Sequence, residues 1–428
     1  MKFLFRYILI TGILLMEGTL AVAQTDTGFH RIPLSLNEYL DMVTNRNRGY
    51  AAQQYNINIA EAGIETAKIF PDPQLSLDGF DNQHRKLKLA YGANAGLGTT
   101  LELGGKRRAR IGLARSNTTQ SRAEVADFYR NLRADATLAW FNALQQYHLL
   151  QVQRQSCDIM KQLADGDSIR FSKGVITEND ALQSRLEADH LQNDMYQNLA
   201  DWKAALVQLN IHTGRSPADA LIMPAGDFDA LERHFNTAVL ISDALEHRSD
   251  VVAAVAAKDA ADKSLVLAKA NRKIDIGVNV GGGYNAEATS EIAPTPQYYA
   301  TTAGISIPLK FSNRYKGELH AAKYSIKQAA AVYDQLRVEV QAAVNQSWVN
   351  YHAARLQVQQ FEKGLLQTAR KVLDGKIYAY RRGESPLLEV LNAQRTNNDL
   401  QQEYYKSLYN YAAALVELER AAGIWDLK

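Results

Sequence analysis

The side chains that most often catalyse reactions or hold metal ions are dispersed along this chain. Its 9 histidines are scattered, and none stands at ligand spacing from Cys157, the only cysteine, as a zinc or redox site would require. The triplet Gly281-Gly282-Gly283 is followed by neither a helix nor a Lys-Ser/Thr pair, so it does not match a phosphate-binding loop. We therefore expect no catalytic site, no metal site and no cofactor, and we expect that the protein is not an enzyme.

Two glycines, Gly174 and Gly383, separate predicted helices in the two halves of the chain. Glycine adopts the left-handed backbone conformation in which many helices end, so both positions predict a tight turn between consecutive helices. Lys173 and Arg382 flank these glycines. Their charges are either contacts for a binding partner or ordinary solvated groups.

Residues that favour the start of a helix follow both glycines. The pair Thr177-x-x-Asp180 resembles a capping box, in which the two side chains satisfy the free amides of the first turn. In the second half, Ser385-Pro386 predicts an N-cap residue followed by the first helical residue.

Long segments that are rich in helix-forming residues position these turns. The segments 113–165, 175–213 and 318–363 contain neither glycine nor proline, and 384–422 contains only Pro386. Apolar residues recur in them at steps of three and four, as at Leu408, Tyr411, Leu415 and Leu418. Such a narrow stripe is typical of coiled-coil packing. The sequence predicts helices too long for a compact globular domain.

Two other regions, 74–103 and 274–309, alternate apolar with small or polar residues. This period of two predicts four strands of roughly ten residues in two hairpins. The pattern fits a transmembrane β-barrel and a soluble sheet with one wet face equally well. Four strands cannot close a barrel, whose smallest form has 8 strands. A barrel would therefore need two or three copies of the chain.

The N-terminus has the features of a secretory signal peptide over residues 1–23. Met1-Lys2 and Arg6 are positively charged, residues 7–16 are mostly apolar, and Ala21-Val22-Ala23 is a small-x-small cleavage site. An N-terminal membrane anchor is the alternative, although the apolar run is short. Cys157 lies far from the cleavage site, so we expect no N-terminal lipid. The signal peptide and the glycine-rich inner face favour the barrel, because small inner residues leave a lumen open. The mature sequence holds no apolar run long enough for a spanning helix, so a chain that crosses a membrane must do so as a β-barrel.

An internal repeat organises the chain. Residues 174–214 align with 383–423 without gaps, and 12 of the 41 positions are identical, including the glycines at both ends. The net charge of +2 gives no reason to expect a nucleic-acid partner. The predicted segments are an N-terminal segment with the first helix in 24–73, a β-hairpin in 74–103, a long helical hairpin in 104–214, a linker in 215–235, a helix in 236–273, a β-hairpin in 274–309, a long helical hairpin in 310–423 and a tail in 424–428.

This order of elements resembles the TolC family of outer-membrane efflux proteins over essentially the whole mature chain. The most specific residues form the motifs Arg170-Phe171-x-x-Gly174, Tyr380-x-x-Gly383 and Glu389-Val390-Leu391-Asn392-Ala393. The resemblance implies a mainly α fold with a small β part. It also implies a homotrimer with a 12-stranded barrel in the outer membrane and a 12-helix tunnel across the periplasm, working with a periplasmic adaptor and an inner-membrane pump.

The resemblance also implies roles for residues at the two turns. Asp180 and Tyr380 match positions that hydrogen-bond between helix pairs and keep the channel closed. Glu389 matches an acidic ring in the pore, while Asn392 stands where a second acidic residue is expected. Glu389 is alternatively a surface carboxylate near a helix N-terminus. The residues implied in adaptor contact are Arg170, Lys173, Gly174, Arg382 and Gly383.

Three functional classes follow from these features. A passive efflux channel explains the helices, the strands, the export signal and the repeat together. A periplasmic coiled-coil scaffold without a channel explains the helices but not the alternating strands. An exported enzyme lacks a site. The cargo is not encoded in the sequence, and drugs, metal ions and secreted peptides all remain open.

Overall fold

The computed structural model describes residues 31–82, 88–216, 219–229, 231–310 and 315–427. The predicted signal peptide, 1–23, lies outside the described residues, as does residue 428 of the predicted tail. The described part is mostly helical with some strands. Within it, no helix combines the length and the apolar character that crossing a lipid bilayer requires.

The first half of the chain runs from a short strand through two helices and a strand pair into a helical hairpin. Its elements are β1 (Arg31–Leu34), α1 (Leu36–Arg46), α2 (Arg48–Lys68), β2 (Gln74–Asp81), β3 (Tyr91–Leu101), α3 (Lys106–Ser172) and α4 (Glu178–His212).

The second half presents nearly the same order of elements. They are β4 (Leu221–Pro224), α5 (Thr237–His247), α6 (Ser249–Asn271), β5 (Ile276–Asn285), β6 (Tyr298–Ser306), α7 (Lys316–Gln360), α8 (Leu366–Arg381) and α9 (Leu387–Ala422).

The long outgoing helix differs between the two halves. In the first half, α3 continues for 67 residues, which corresponds to roughly 100 Å at 1.5 Å per residue. In the second half, a π-helical segment over Phe361–Leu365 separates α7 from α8. Gly364 lies in this segment with a φ of 103°, a conformation that only glycine adopts without strain. The outgoing helix of the second half is therefore kinked.

The four long strands form one antiparallel sheet in the order β2-β3-β5-β6. Each predicted hairpin is present, and pairing of β3 with β5 joins the two. The register places Leu75, Leu97, Val280 and Ala303 side by side across all four strands. Because side chains alternate along each strand, one face of the sheet collects the apolar residues of both hairpins.

A second, two-stranded parallel sheet pairs β1 with β4. The strand β4 lies within the segment 215–235, which is predicted from the sequence only as a linker. Leu221 and Ile222 of this strand are buried, and the carbonyl of Leu34 accepts a hydrogen bond from Ala225. The segment between the halves is thus anchored to the start of the chain.

The main hydrophobic core lies where the middle of α3 meets α1, the end of α4 and the end of α9. Its largest fully buried side chains include Tyr39, Leu150, Leu209 and Leu415. A second, separate core lies towards the turns that follow α3 and α8 and includes Met160, Leu191, Tyr380 and Val390. This second core holds the two helical hairpins together near their tips.

Candidate functional site

The turn between α3 and α4 is closed by local backbone hydrogen bonds around Gly174. The amide of Val175 donates to the carbonyl of Arg170 over 2.9 Å, and that of Gly174 donates to Phe171 over 2.8 Å. Gly174 has a φ of 72°. These bonds and this conformation define a Schellman motif, which satisfies carbonyls at the end of a helix.

The turn between α8 and α9 repeats this geometry around Gly383, whose φ is 81°. The amide of Glu384 donates to the carbonyl of Ala379 over 2.9 Å, and that of Gly383 donates to Tyr380 over 3.0 Å. Both glycines therefore form the tight turns that the sequence predicts. We call the residues 161–189 the first tip and the residues 370–398 the second tip.

The helices that leave the turns start in different ways. Thr177 is the N-cap of α4; its hydroxyl accepts from the Asp180 amide over 3.2 Å and donates to the Asp180 carboxylate over 2.8 Å. In the second tip, the prediction of Ser385 as the N-cap residue is wrong by one residue. Pro386 is the N-cap of α9, with extended backbone, and the hydroxyl of Ser385 donates instead to the carboxylate of Glu389 over 2.8 Å.

A buried polar cluster joins the two tips. The hydroxyl of Tyr380 in α8 donates to the carboxylate of Asp167 in α3 over 3.0 Å. A guanidinium nitrogen of Arg170 lies 3.4 Å from the same carboxylate oxygen, and its guanidinium carbon lies 4.7 Å from the Tyr380 ring centroid. Asp167 is 1% exposed and Tyr380 is 5% exposed. Burial first, and then the adjacent Asp167 carboxylate, raise the pKa of Tyr380 above its ordinary value.

The hydrogen bond implied between Tyr380 and Asp180 is replaced in this chain. Tyr380 bonds to Asp167, whereas the carboxylate of Asp180 accepts from Thr177 within its own helix cap. Sequence reasoning missed Asp167, although a signal was present. Asp167 follows Met160, Leu163 and Ala164 at steps of three and four, so it occupies the buried stripe of α3.

The implied pore residues Glu389 and Asn392 are both exposed on α9. Glu389 forms an ion pair with Lys376 of α8, with 2.5 Å between the amino nitrogen and a carboxylate oxygen. The hydrogen bonds from Lys376 and Ser385 lower the pKa of Glu389 below its ordinary value. Sequence reasoning did not identify Lys376, because its partner lies across a turn 13 residues away.

The residues implied in adaptor contact differ in accessibility. Lys173, Gly174, Arg382 and Gly383 are exposed at the two turns. The guanidinium of Arg382 lies 3.7 Å from the carboxylate of Glu384. Arg170 is only half-exposed and is directed into the buried cluster, where its charge faces Asp167 and Tyr380.

Further along the hairpins, polar side chains line the contact between α3 and α9. The Ser156 hydroxyl donates to the Asn398 side-chain carbonyl over 2.9 Å, and the Asn398 side-chain amide donates to the Gln153 side-chain carbonyl over 3.5 Å. Gln394 is 2% exposed, and within the described chain neither polar atom of its side chain has a hydrogen-bond partner. Buried polar groups of this kind weaken an interface relative to an apolar one.

The chain is similar to known proteins over most of its length. It is 24% identical over 417 residues to the cobalt-zinc-cadmium resistance protein CzcC of Cupriavidus metallidurans, covering 95% of this chain and 96% of that protein. Its fold matches the CmeC outer membrane channel of Campylobacter jejuni with a TM-score of 0.76 at 15% identity, over 91% of this chain and 85% of that one. It matches crystal structures of CusC with a TM-score of 0.73 at 16% identity, over 93% and 94% of the two chains.

The sequence profile of the outer membrane efflux protein family matches two segments, residues 40–215 and 240–424. These segments span both helical hairpins, both tips and all four strands of the large sheet. The resemblance to TolC-type proteins is thereby confirmed. The chain belongs to the outer membrane efflux protein family.

Proposed function

We propose that the chain is one of three identical subunits of a channel that passively conducts substrates across the periplasm and the outer membrane. A periplasmic adaptor and an inner-membrane pump would deliver those substrates to it. The family is one of outer membrane efflux proteins, which favours transport over catalysis. The observation that carries the proposal is the four-stranded sheet, which has one apolar face, one polar face and two open edges.

The apolar face of the sheet is exposed in the single chain. Leu77 is 73% exposed and Ile305 is 71% exposed. The large apolar residues that share this face are Leu75, Leu77, Tyr91, Leu97, Leu101, Ile276, Val278, Val280, Tyr284, Tyr299 and Ile305. A soluble protein rarely exposes so continuous an apolar surface, whereas lipid would cover it in a membrane.

The opposite face is small and polar, apart from Phe80 and Tyr298 near one end. Its residues include Gln74, Ser76, Asp78, Asn94, Gly96, Gly98, Gly277, Asn279, Gly281, Gly283, Thr302, Gly304 and Ser306. Neighbouring strands crowd together on this side. A Cβ added at Gly281 would lie 2.8 Å from the Ala95 carbonyl oxygen. A Cβ added at Gly79, on the apolar face, would lie 3.9 Å from its nearest neighbour, the carbonyl oxygen of Gly92.

That crowding supports a sheet curved towards its glycine-rich face. Glycine is the residue that allows neighbouring backbones to approach so closely. A curved sheet with a polar concave side and an apolar convex side corresponds to a sector of a barrel wall that encloses water and faces lipid.

The two edges, β2 and β6, each pair on one side only within the described chain. Unpaired backbone groups cannot remain in lipid, so neighbouring copies would have to supply the missing partners. Three copies would give the 12-stranded barrel that the family resemblance implies. Their helical hairpins would then form a tunnel of 12 helices, with α3 reaching roughly 100 Å.

The two tips lie at the far end of the long helices and would face the adaptor. Lys173 and Arg382 are exposed beside the turn glycines, which makes them the first candidates for contact. The matched Schellman motifs present both turns in the same local shape. An adaptor could therefore engage the two hairpins of one subunit in equivalent ways.

We propose that the hydrogen bond between Tyr380 and Asp167 stabilises the closed state of the channel. This bond connects the hairpin of the first half with that of the second, so it must break if the hairpins separate. Asp180 has a smaller part in this proposal, because Thr177 already satisfies its carboxylate.

The cargo is proposed to depend on the pump rather than on this chain. One relative is named for cobalt, zinc and cadmium resistance, which makes divalent metal ions the first cargo to test. Among the described residues, no group of His, Cys, Asp or Glu side chains could hold a metal ion. A passive tunnel would need none.

Membrane fractionation followed by detergent extraction tests the proposal. We expect a complex of three chains that is recovered from the outer-membrane fraction and conducts ions in planar bilayers. A water-soluble product, or an extracted complex that never conducts, would refute it and favour the scaffold.

Contact with the adaptor can be tested by cross-linking from single cysteines. The native Cys157 is buried, so introduced thiols would react selectively. Lys173→Cys and Arg382→Cys should cross-link to a co-expressed adaptor, whereas Lys327→Cys, exposed on α7 far from the tips, should not. Equal cross-linking from all three positions would exclude a specific role for the tips.

A further inference from the structure

In the second tip, a lysine side chain lies directly opposite the carboxylate of Glu389. Lys376 and Glu389 form an ion pair across the turn between α8 and α9, at 2.5 Å. The hydroxyl of Ser385 donates to the same carboxylate oxygen of Glu389 over 2.8 Å. All three groups belong to one chain, so the pair forms within each hairpin and does not depend on a neighbouring subunit.

The charges around this pair are mainly positive. Residues 370–398 include six basic and three acidic side chains, whereas the aligned residues 161–189 of the first tip include four basic and six acidic ones. Asn392, one turn beyond Glu389, is neutral. Each acidic side chain of the second tip also has a basic partner, as Asp374 has Arg370 and Glu384 has Arg382.

We propose that Lys376 is a selectivity-determining residue that neutralises Glu389 in the narrow part of the channel and so abolishes a preference for cations. This inference rests on the proposed function and on the position in the pore that the family resemblance implies for Glu389. Three glutamates alone would attract cations and hinder anions. Three lysines paired with them leave a ring of dipoles with no net charge.

The arrangement suits a channel that must release cations as readily as it admits them. A bare ring of carboxylates would hold multivalent cations at the narrowest point and slow their exit, because conduction needs binding sites that release their ions. The paired lysine weakens that hold. Both side chains are more than two-fifths exposed, so passing ions can compete for either member of the pair.

Charge-neutralising substitutions measure the effect directly. In planar bilayers with a salt gradient, the wild-type channel should show similar permeabilities for K⁺ and Cl⁻. Lys376→Gln should raise the ratio of K⁺ to Cl⁻ permeability by roughly sevenfold. A change of one kT/e in the local electrostatic potential favours K⁺ by about 2.7-fold and disfavours Cl⁻ by the same factor. Glu389→Gln should lower the ratio by a similar factor.

Lys363→Gln is the matched control, because it removes the same charge from an exposed position. Residue 363 lies in the π-helical segment, 13 positions before Lys376, which corresponds to roughly 20 Å at 1.5 Å per residue. That distance exceeds twice the Debye length of about 8 Å at physiological salt. The control should leave the permeability ratio unchanged, and the double variant Lys376→Gln with Glu389→Gln should return it towards the wild-type value.

The outcomes separate this inference from the proposed function. If the wild type conducts but neither single variant changes the ratio of K⁺ to Cl⁻ permeability, the pair lies outside the pore. That result overturns this inference but leaves the proposed channel function unaffected. A strongly cation-selective wild type also overturns it. If the wild type forms no channels, both proposals fail.

Discussion

Replacing Tyr380 with phenylalanine removes a single hydroxyl group and should make the channel open more often. That hydroxyl donates a 3.0 Å hydrogen bond to Asp167, and both residues are buried at the contact between the two helical hairpins. The phenyl ring keeps its place in the second core, which also includes Leu387. The substitution therefore tests the polar contact and not the shape of the core.

The size of the effect follows from the charge on Asp167. A hydrogen bond to a charged group contributes about 1.5–3 kcal/mol. Because the bond joins hairpins that must separate, its loss should destabilise only the closed state. Each chain would then shift its equilibrium towards opening by roughly 10- to 150-fold. Arg170, at 3.4 Å from the same oxygen, would retain part of the interaction and favour the lower value.

Single-channel recording in planar bilayers measures the open probability and the conductance. Tyr378→Phe is the matched control, because Tyr378 stands on the same helix but is 60% exposed. It should behave like the wild type. Asp167→Asn keeps an oxygen that can accept from Tyr380 but removes the negative charge, so it should open the channel less than Tyr380→Phe does. Combining the two substitutions should add little to Tyr380→Phe alone. If Tyr380→Phe leaves the open probability unchanged, or if Asp180→Asn opens the channel more than Asp167→Asn does, the reasoning is refuted.

Three further predictions concern stability. Gly383→Ala should lower the melting temperature of the detergent-solubilised complex, since a φ of 81° costs a side chain about 1–2 kcal/mol; Gly375→Ala, within α8, should not lower it. Gln394→Leu should raise the melting temperature and reduce opening of the channel, because it removes two unpartnered polar atoms from a buried interface. The free energy of unfolding should rise by about 1–3 kcal/mol. Burial raises the pKa of Glu419 from its ordinary value of 4.5 to about 7. Between these two values the folded state holds a proton that the unfolded state has lost, so stability should fall as pH rises through this interval. Glu419→Gln should abolish that part of the pH dependence, and a persistent slope would exclude Glu419 as its source.

The turns at the tips were predictable because their geometry is local. Gly174 and Gly383 each end a helix through contacts within six residues, and glycine tolerates the required φ without strain. The strands were predictable for a similar reason, since alternation along one strand reflects its own two faces. The short strand β4 was missed, because four residues are too few for a period to be recognised.

The partner of Tyr380 could not be found in the same way. Asp167 lies 213 positions away in the chain, and family resemblance indicated Asp180 instead. The choice between the two carboxylates depends on how α3, α4 and α8 pack, which determines which of them is buried next to the tyrosine. The ion pair of Lys376 with Glu389 likewise requires two helices to be brought together by the turn at Gly383.

The sequence by itself determined the presence of long helices, the positions of the two tips, the alternation of the strands and the family. These properties depend on the conformational preferences of neighbouring residues and on the period of apolar side chains. Only the tertiary structure decided that β3 pairs with β5, that the glycine-rich face is the crowded one and that Asp167 holds Tyr380. Those contacts join residues far apart in the chain, and their energies depend on burial and distance, which no local pattern records.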